Sequence, residues 1–258
     1  MPVFTRPDGV GLYHEVHGAD DSPPLILLEG MGGDIPGWRR NIPVLARELR
    51  VIAYDFRGNG NSDEPSGPTT MSTFVEDTLA LLDHLGVDRA HVYGQSFGGM
   101  VAQELALTQP SRVRTLFLGC THVGTRHAVR SKSFKVPKGE PWRAMYAPGF
   151  PDRFPEHVRE DLRIGAMQPK HPEGGRRQWE AMQDFDSFER LPELQVPTLI
   201  LHGTEDQAVP FGNAQLFAKR IPGAELVPLE GAGHLYHSEQ AEAADAAVLD
   251  FVRRHPGG

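Results

Sequence analysis

The sequence predicts an α/β fold, a mostly parallel twisted sheet of about eight strands with helices on both faces and an inserted helical lid. Three observations predict it. Short runs recur that are apolar throughout, as strands buried on both faces require. Amphipathic helical repeats separate those runs. One stretch, from 123 to 194, breaks the alternation and offers no good strand.

The elements follow in chain order. Val10–His17 reads as an early antiparallel strand after a turn at Pro7-Asp8-Gly9. Pro24–Leu28, Arg50–Asp55, Arg89–Tyr93 and Val113–Leu118 read as buried strands, and Pro197–Leu201 and Ala224–Leu229 resume the series. Between them, Phe74, Thr78, Leu81, Leu82 and Leu85 recur at three- and four-residue steps, with a stop at Gly86. Met100, Val101, Leu105 and Leu107 mark a second helix, ended before Pro110, and Ala241–Phe251 a third. This divides the chain into a core, 1–122 and 195–258, and a lid, 123–194. The lid opens basic and irregular, with Arg126, Arg130, Lys132, Lys135 and Lys138. It then turns helical and carries Trp142, Met145, Tyr146, Phe150, Phe154, Met167, Trp179, Met182, Phe185 and Phe188. A structureless run of this length is unusual in a compact domain. Most of these apolar side chains are expected to form the lid's own core, and the rest to face an apolar pocket.

Composition narrows the partners. The 258 residues are 39% hydrophobic and 23% charged, enough for one large domain with a real core. A net charge of -8 without a basic stripe argues against nucleic acid. The single cysteine, Cys120, lies in an apolar run and cannot form an internal disulfide, so a packed thiol in a reducing cytoplasm is expected. No apolar run approaches the ~20 residues of a membrane helix, and the opening residues lack a basic–apolar leader pattern. A small molecule is therefore the expected partner, with neither nucleic acid nor membrane.

Chemistry concentrates in three short segments. Gly94-Gln95-Ser96-Phe97-Gly98 follows a strand and opens a helix. In that context a G-x-S-x-G run is a sharp turn that lifts the serine hydroxyl clear, and its glycines let the chain close. A serine hydroxyl needs a base, and the base an orienting acid. Asp206 lies in the turn after the strand ending at Leu201, with Glu205 as the neighbouring alternative. His234 follows in Gly231-Ala232-Gly233-His234, a loop two glycines make tight. His237 is a second candidate base, whereas His202 and His91 sit on strands as packing residues. The glycines from Gly30 to Gly33 lack an acidic ribose partner and do not make a dinucleotide site.

Taken together, the elbow, the acid loop His202-Gly203-Thr204-Glu205-Asp206 with Val209-Pro210, and the base loop closely resemble the α/β-hydrolase superfamily. The block Asp55-Phe56-Arg57-Gly58-Asn59-Gly60-Asn61-Ser62-Asp63 also resembles a loop of that family. The likeness is greatest to the bacterial esterase and enol-lactonase-type branch, with a lid after the sixth strand of the family pattern. It implies Ser96 as nucleophile, Asp206 and His234 as its partners, an oxyanion hole of the Phe97 and Met31 N–H groups, and no metal or organic cofactor. The lid's apolar residues suggest a hydrophobic pocket, with Met31, Phe97 and Trp38 on its floor and Trp142 and Tyr146 from the lid. The expected substrate is a small to medium apolar ester or lactone. The same triad also serves thioester, carbon–carbon, perhydrolytic and lyase or cyclase chemistry, and a non-catalytic binding module would keep the shape. The sequence departs from the family at Glu29-Gly30-Met31-Gly32-Gly33, where His-Gly is usual. A carboxylate facing a developing oxyanion is unfavourable. Glu29 is therefore expected to turn away and bond loop N–H groups.

Overall fold

The computed structural model describes residues 2–65, 67–131, 136–169 and 171–256. Eight strands form one sheet: β1 (Val3–Thr5), β2 (Gly11–His17), β3 (Pro24–Leu28), β4 (Arg50–Tyr54), β5 (Ala90–Gln95), β6 (Val113–Gly119), β7 (Thr198–Gly203) and β8 (Glu225–Leu229). Their spatial order is β1-β2-β4-β3-β5-β6-β7-β8. β2 pairs antiparallel with β1 and β4, and every pairing from β4 to β8 is parallel. β1 escapes a reading by periodicity, because three partly exposed residues are too few to show alternation.

Side-chain alternation explains the continuous apolar runs. On β3, Ile26 and Leu28 enter one core, while Leu25 and Leu27 enter another on the opposite face. The first core is closed by α2 (Met71–His84), α3 (Phe97–Thr108) and α7 (Gly212–Arg220), the second by α1 (Ile42–Leu45) and α9 (Ala241–Arg254). α2 starts on a capping box between Thr70 and Thr73, which satisfies free N–H groups of its first turn.

Between β6 and β7 the described residues contain no strand. They form α4 (Phe150–Arg153), α5 (Pro155–Met167) and α6 (Pro172–Asp184), flanked by short 3₁₀ turns. Lys132 and Lys135 lie outside the described residues. α5 lies against the 3₁₀ turn Ile35–Trp38 and α6 against α3. Fewer than half of the large apolar side chains singled out in this segment are buried: Tyr146, Phe150, Met182 and Phe185 are, whereas Phe154, Met167 and Trp179 are exposed. Tyr146, Ala147, Phe150 and Val158 form a small cluster of their own, Met182 and Phe185 join the first core, and the exposed side chains stay wet. The remaining helix, α8 (Tyr236–Glu239), follows β8.

Candidate active site

β5 ends at Gln95 and α3 begins at Phe97, so Ser96 alone makes the turn. Its backbone is forced to φ 51° and ψ −115°, a strained conformation for a residue with a Cβ. The glycines around it are steric necessities. A Cβ on Gly94 would lie 2.2 Å from the Gly98 carbonyl oxygen, and one on Gly98 would lie 2.1 Å from the Leu28 carbonyl oxygen. Two hydrogen bonds hold the strained residue: Ser96 N–H donates to Gly119 O at 2.8 Å, and Thr121 Oγ1 donates to Ser96 O at 2.7 Å. Ser96 is half-buried between two buried neighbours.

The acid and base loops meet at the ends of β7 and β8. His234 Nδ1 lies 2.7 Å from Asp206 Oδ2, with both side chains buried. Asp206 Oδ1 accepts from the Ala208 and Val209 N–H groups, each at 2.8 Å, which fixes the carboxylate. Burial pushes the Asp206 carboxyl up. The charge and hydrogen bond of His234, with His202 and the Val209 N–H, outweigh it and hold the acid below its ordinary value. Burial likewise pushes His234 down, but Asp206 first, then Glu29 and Glu239, raise it above its ordinary value. When Nδ1–H donates to Asp206 Oδ2, the neutral imidazole carries its free lone pair on Nε2. Gln95 Nε2 donates to His234 O at 3.1 Å and so ties the base loop to the elbow. Gly233 lets the loop pass close to Ala147, whose N lies 2.2 Å from where a Cβ would stand.

The alternatives separate cleanly. Glu205 is exposed. His237 is buried against Trp38 and Tyr236, and burial lowers it to about 3, so it stays neutral. His91 pairs with Thr115 Oγ1 at 2.8 Å. His202 Nε2 donates to Val209 O at 2.7 Å and braces the acid loop from below. Among the described residues, Cys120, His202 and Asp206 bring possible metal-ligating atoms together. These atoms are already engaged: Cys120 Sγ with Gly203 N–H and Gly233 O, His202 with Val209 O, and Asp206 with His234. Burial also keeps the Cys120 thiol protonated.

The glycine-rich turn after β3 faces the elbow, and a Cβ on Gly30 would lie 3.3 Å from Ser96 Cβ. Gly33 N–H donates to Gly30 O at 3.0 Å, and Gly32 N–H donates to Gln178 Oε1 on α6 at 2.9 Å. Met31 stands at its tip, 37% exposed. Glu29 lays its carboxyl against Gly33 and Gly37, and its Oε1 accepts from Gly30 N–H at 2.9 Å. The Asp55–Asp63 loop braces the same turn. Asp55 accepts from Ile35 and Asn61 N–H groups, and Asn59 Nδ2 donates to Gly33 O at 2.7 Å.

Two expected pocket residues have buried side chains. Phe97 is 1% exposed, and its ring packs edge-on against Phe56 and Phe74. Trp38, also 1% exposed, packs against Tyr93 and His237. Both side chains belong to the core because the helix and 3₁₀ turn that carry them face the sheet. The Phe97 backbone N–H lies at a helix N-terminus, where it has no partner within the helix. Trp142 and Tyr146 do line a cavity of about 230 Å³, with Glu29, Arg39, Asp161 and His237. A second cavity, about 420 Å³, lies between His122, Arg130, Trp179 and Met182 on one side and Gln207 and Val209 beside the acid on the other. The roles of Gln95, Gln178 and Asp161 escaped sequence reasoning. Gln95 occupies a free position of its motif, and the other two act across long stretches of chain.

The α/β hydrolase fold family model matches residues 23–241. The chain is 31% identical over 257 residues to a putative carbamate hydrolase RutD of Azorhizobium caulinodans, covering 93% of this chain and 94% of that protein. It is 30% identical over 271 residues to 3-oxoadipate enol-lactonase 2 of Acinetobacter baylyi, covering 98% and 99%. The crystal structure of the enol-lactonase from Burkholderia xenovorans superposes with a TM-score of 0.86 at 26% identity, over 98% of this chain and 100% of that one. No described helix is long and apolar enough to cross a membrane. By sequence, fold and relatives alike, the chain belongs to the α/β-hydrolase fold family.

Proposed function

We propose that the protein is a serine hydrolase that cleaves carboxylic esters or lactones of small to medium apolar substrates through an acyl-enzyme. The observation that carries this reading is the buried 2.7 Å His234–Asp206 pair, joined through Gln95 to the strained Ser96 elbow. His234 Nε2 takes the Ser96 proton as Oγ attacks the carbonyl carbon. The Phe97 and Met31 N–H groups receive the developing oxyanion. His234 then protonates the leaving alcohol, and water, activated by the same base, releases the acid and restores Ser96. Asp206 keeps the imidazole in the right tautomer and stabilises its cation. Helices between 141 and 193 act as the lid, with Trp142 and Tyr146 offering apolar contact to substrate. The single buried thiol suits a cytoplasmic enzyme.

A second reading, carbamate hydrolysis by the same triad, is favoured by relatives 31% and 32% identical that are described as putative carbamate hydrolases. A panel of p-nitrophenyl esters, lactones, thioesters and carbamates decides between them. Wild-type labelling by a fluorophosphonate, lost in Ser96→Ala, is the expected result. Turnover by Ser96→Ala near the wild-type rate would overturn both readings.

A further inference from the structure

Glu29 occupies a cradle shaped for it. A Cβ on Gly33 would lie 2.4 Å from its Cγ, and one on Gly37 would lie 2.9 Å from its Oε2. Glycine at both positions makes room for the carboxyl. Oε1 holds the Gly30 N–H, whereas Oε2 is buried without a hydrogen-bond partner among the described residues. An ionised carboxylate with one oxygen stranded away from water carries a large desolvation cost, which a proton removes. No cationic side chain bonds to it among the described residues. The groups that face it are the Asp34 and Asp55 carboxylates and His234, and Arg39, Asp161 and His237 share the cavity wall. Arg39 is committed to Asp161.

We propose that Glu29 is a positioning residue that works as a neutral carboxylic acid, holding the Gly30–Met31 turn through Oε1 while Oε2 carries the proton. The inference rests on the serine-hydrolase reading above. Burial first, then Asp34 and Asp55, raise this carboxyl to about 7, against the Gly30 N–H and His234, which lower it. The sign follows. Below about 7 the group is neutral and the turn is free of charge. Above it, a carboxylate forms in the Gly33–Gly37 cradle, bonded to the Gly30 N–H of the turn that faces Ser96. The same charge adds to Asp206 in raising His234, which favours the protonated form that cannot accept the Ser96 proton. Ionisation of Glu29 as pH rises should therefore inhibit the enzyme.

The test is the pH profile of kcat/KM for wild type and Glu29→Gln, each normalised to its own maximum. Glutamine keeps the shape and an oxygen for Gly30 N–H but cannot ionise. Wild type should fall about tenfold or more between about pH 7 and about pH 9, while Glu29→Gln changes less than about twofold. A falling limb shared by both, or absent from wild type, overturns the proposal. Infrared spectroscopy of the wild type provides an independent measurement should the variant fold poorly. A protonated-carboxyl band that disappears as pH rises through the same range, and that the Glu239→Gln, Asp245→Asn double variant retains, is the expected result, because those two carboxyls are also raised to about 7; its absence at about pH 6 refutes the proposal. Fluorophosphonate labelling of Ser96 reports on the underlying hydrolase reading separately.

Discussion

The Ser96 elbow and the helical segment between β6 and β7 lie side by side and are held by different physics. Around the elbow, backbone meets backbone at distances that admit no side-chain atom at Gly94 or Gly98. The segment instead rests on long polar reaches. Asp161 Oδ2 on α5 accepts from Tyr146 OH at 2.9 Å and Ser238 Oγ at 2.7 Å, and its other oxygen engages Arg39 and Arg40. The elbow is defined by what cannot be added, the segment by what can be removed. That difference predicts where the molecule tolerates change.

The largest effect should come from the charge beside the base. Asp206→Asn keeps the shape but not the partner that fixes His234, and should lower kcat by about 10⁴. Because Asp206 raises His234, the rising limb of the pH profile should also shift to lower pH in this variant. Stopped-flow hydrolysis across the acid range measures both. A stability change should dominate at the elbow itself: Gly98→Val collides with Leu28 O and should cost about 3 kcal/mol or more by urea unfolding. A near-neutral result would mean that the elbow is more plastic than its contacts imply.

In the helical segment the expected effects are smaller and local. Asp161→Asn should loosen α5 by about 1–3 kcal/mol, seen as faster amide exchange in 155–167 with little change in the sheet. Asp161 lies below its ordinary value, since Ser238, Arg39 and Tyr146 outweigh the burial that would raise it. Its contribution is therefore present at neutral pH and lost as pH falls through the acid range. The smallest effect belongs to Met167→Lys, 69% exposed in the wild type, with a stability change within about 0.5 kcal/mol. A larger loss there would reveal packing that the exposed surface does not show.

The same contrast explains what the sequence made legible. The elbow is a local object, since strand, turn and helix lie within the 19 residues from Ala90 to Thr108 and their constraint is written as glycine. Asp206 and His234 are legible through chain order and the loops that carry them. The burial of the Phe97 and Trp38 side chains is not legible, because position along the chain says nothing of which way each element faces. Asp161 reaches Ser238 across 77 positions, and no local pattern announces such a bond. Glu29 was legible as a departure from the family pattern, but its cradle needs Gly33 and Gly37 folded back around it.

Gln178 carries a consequence for engineering. Its Oε1 reaches from α6 to the Gly32 N–H, so one of the turn's N–H groups is anchored by a residue 146 positions downstream. The helical segment is therefore not a detachable cover that can be exchanged to change substrate scope while the machinery beneath stays constant. A graft that replaces 123–194 would also remove an anchor of the turn that faces Ser96. Chimeras that retain a glutamine at the 178 position should outperform those that do not, whatever pocket they import.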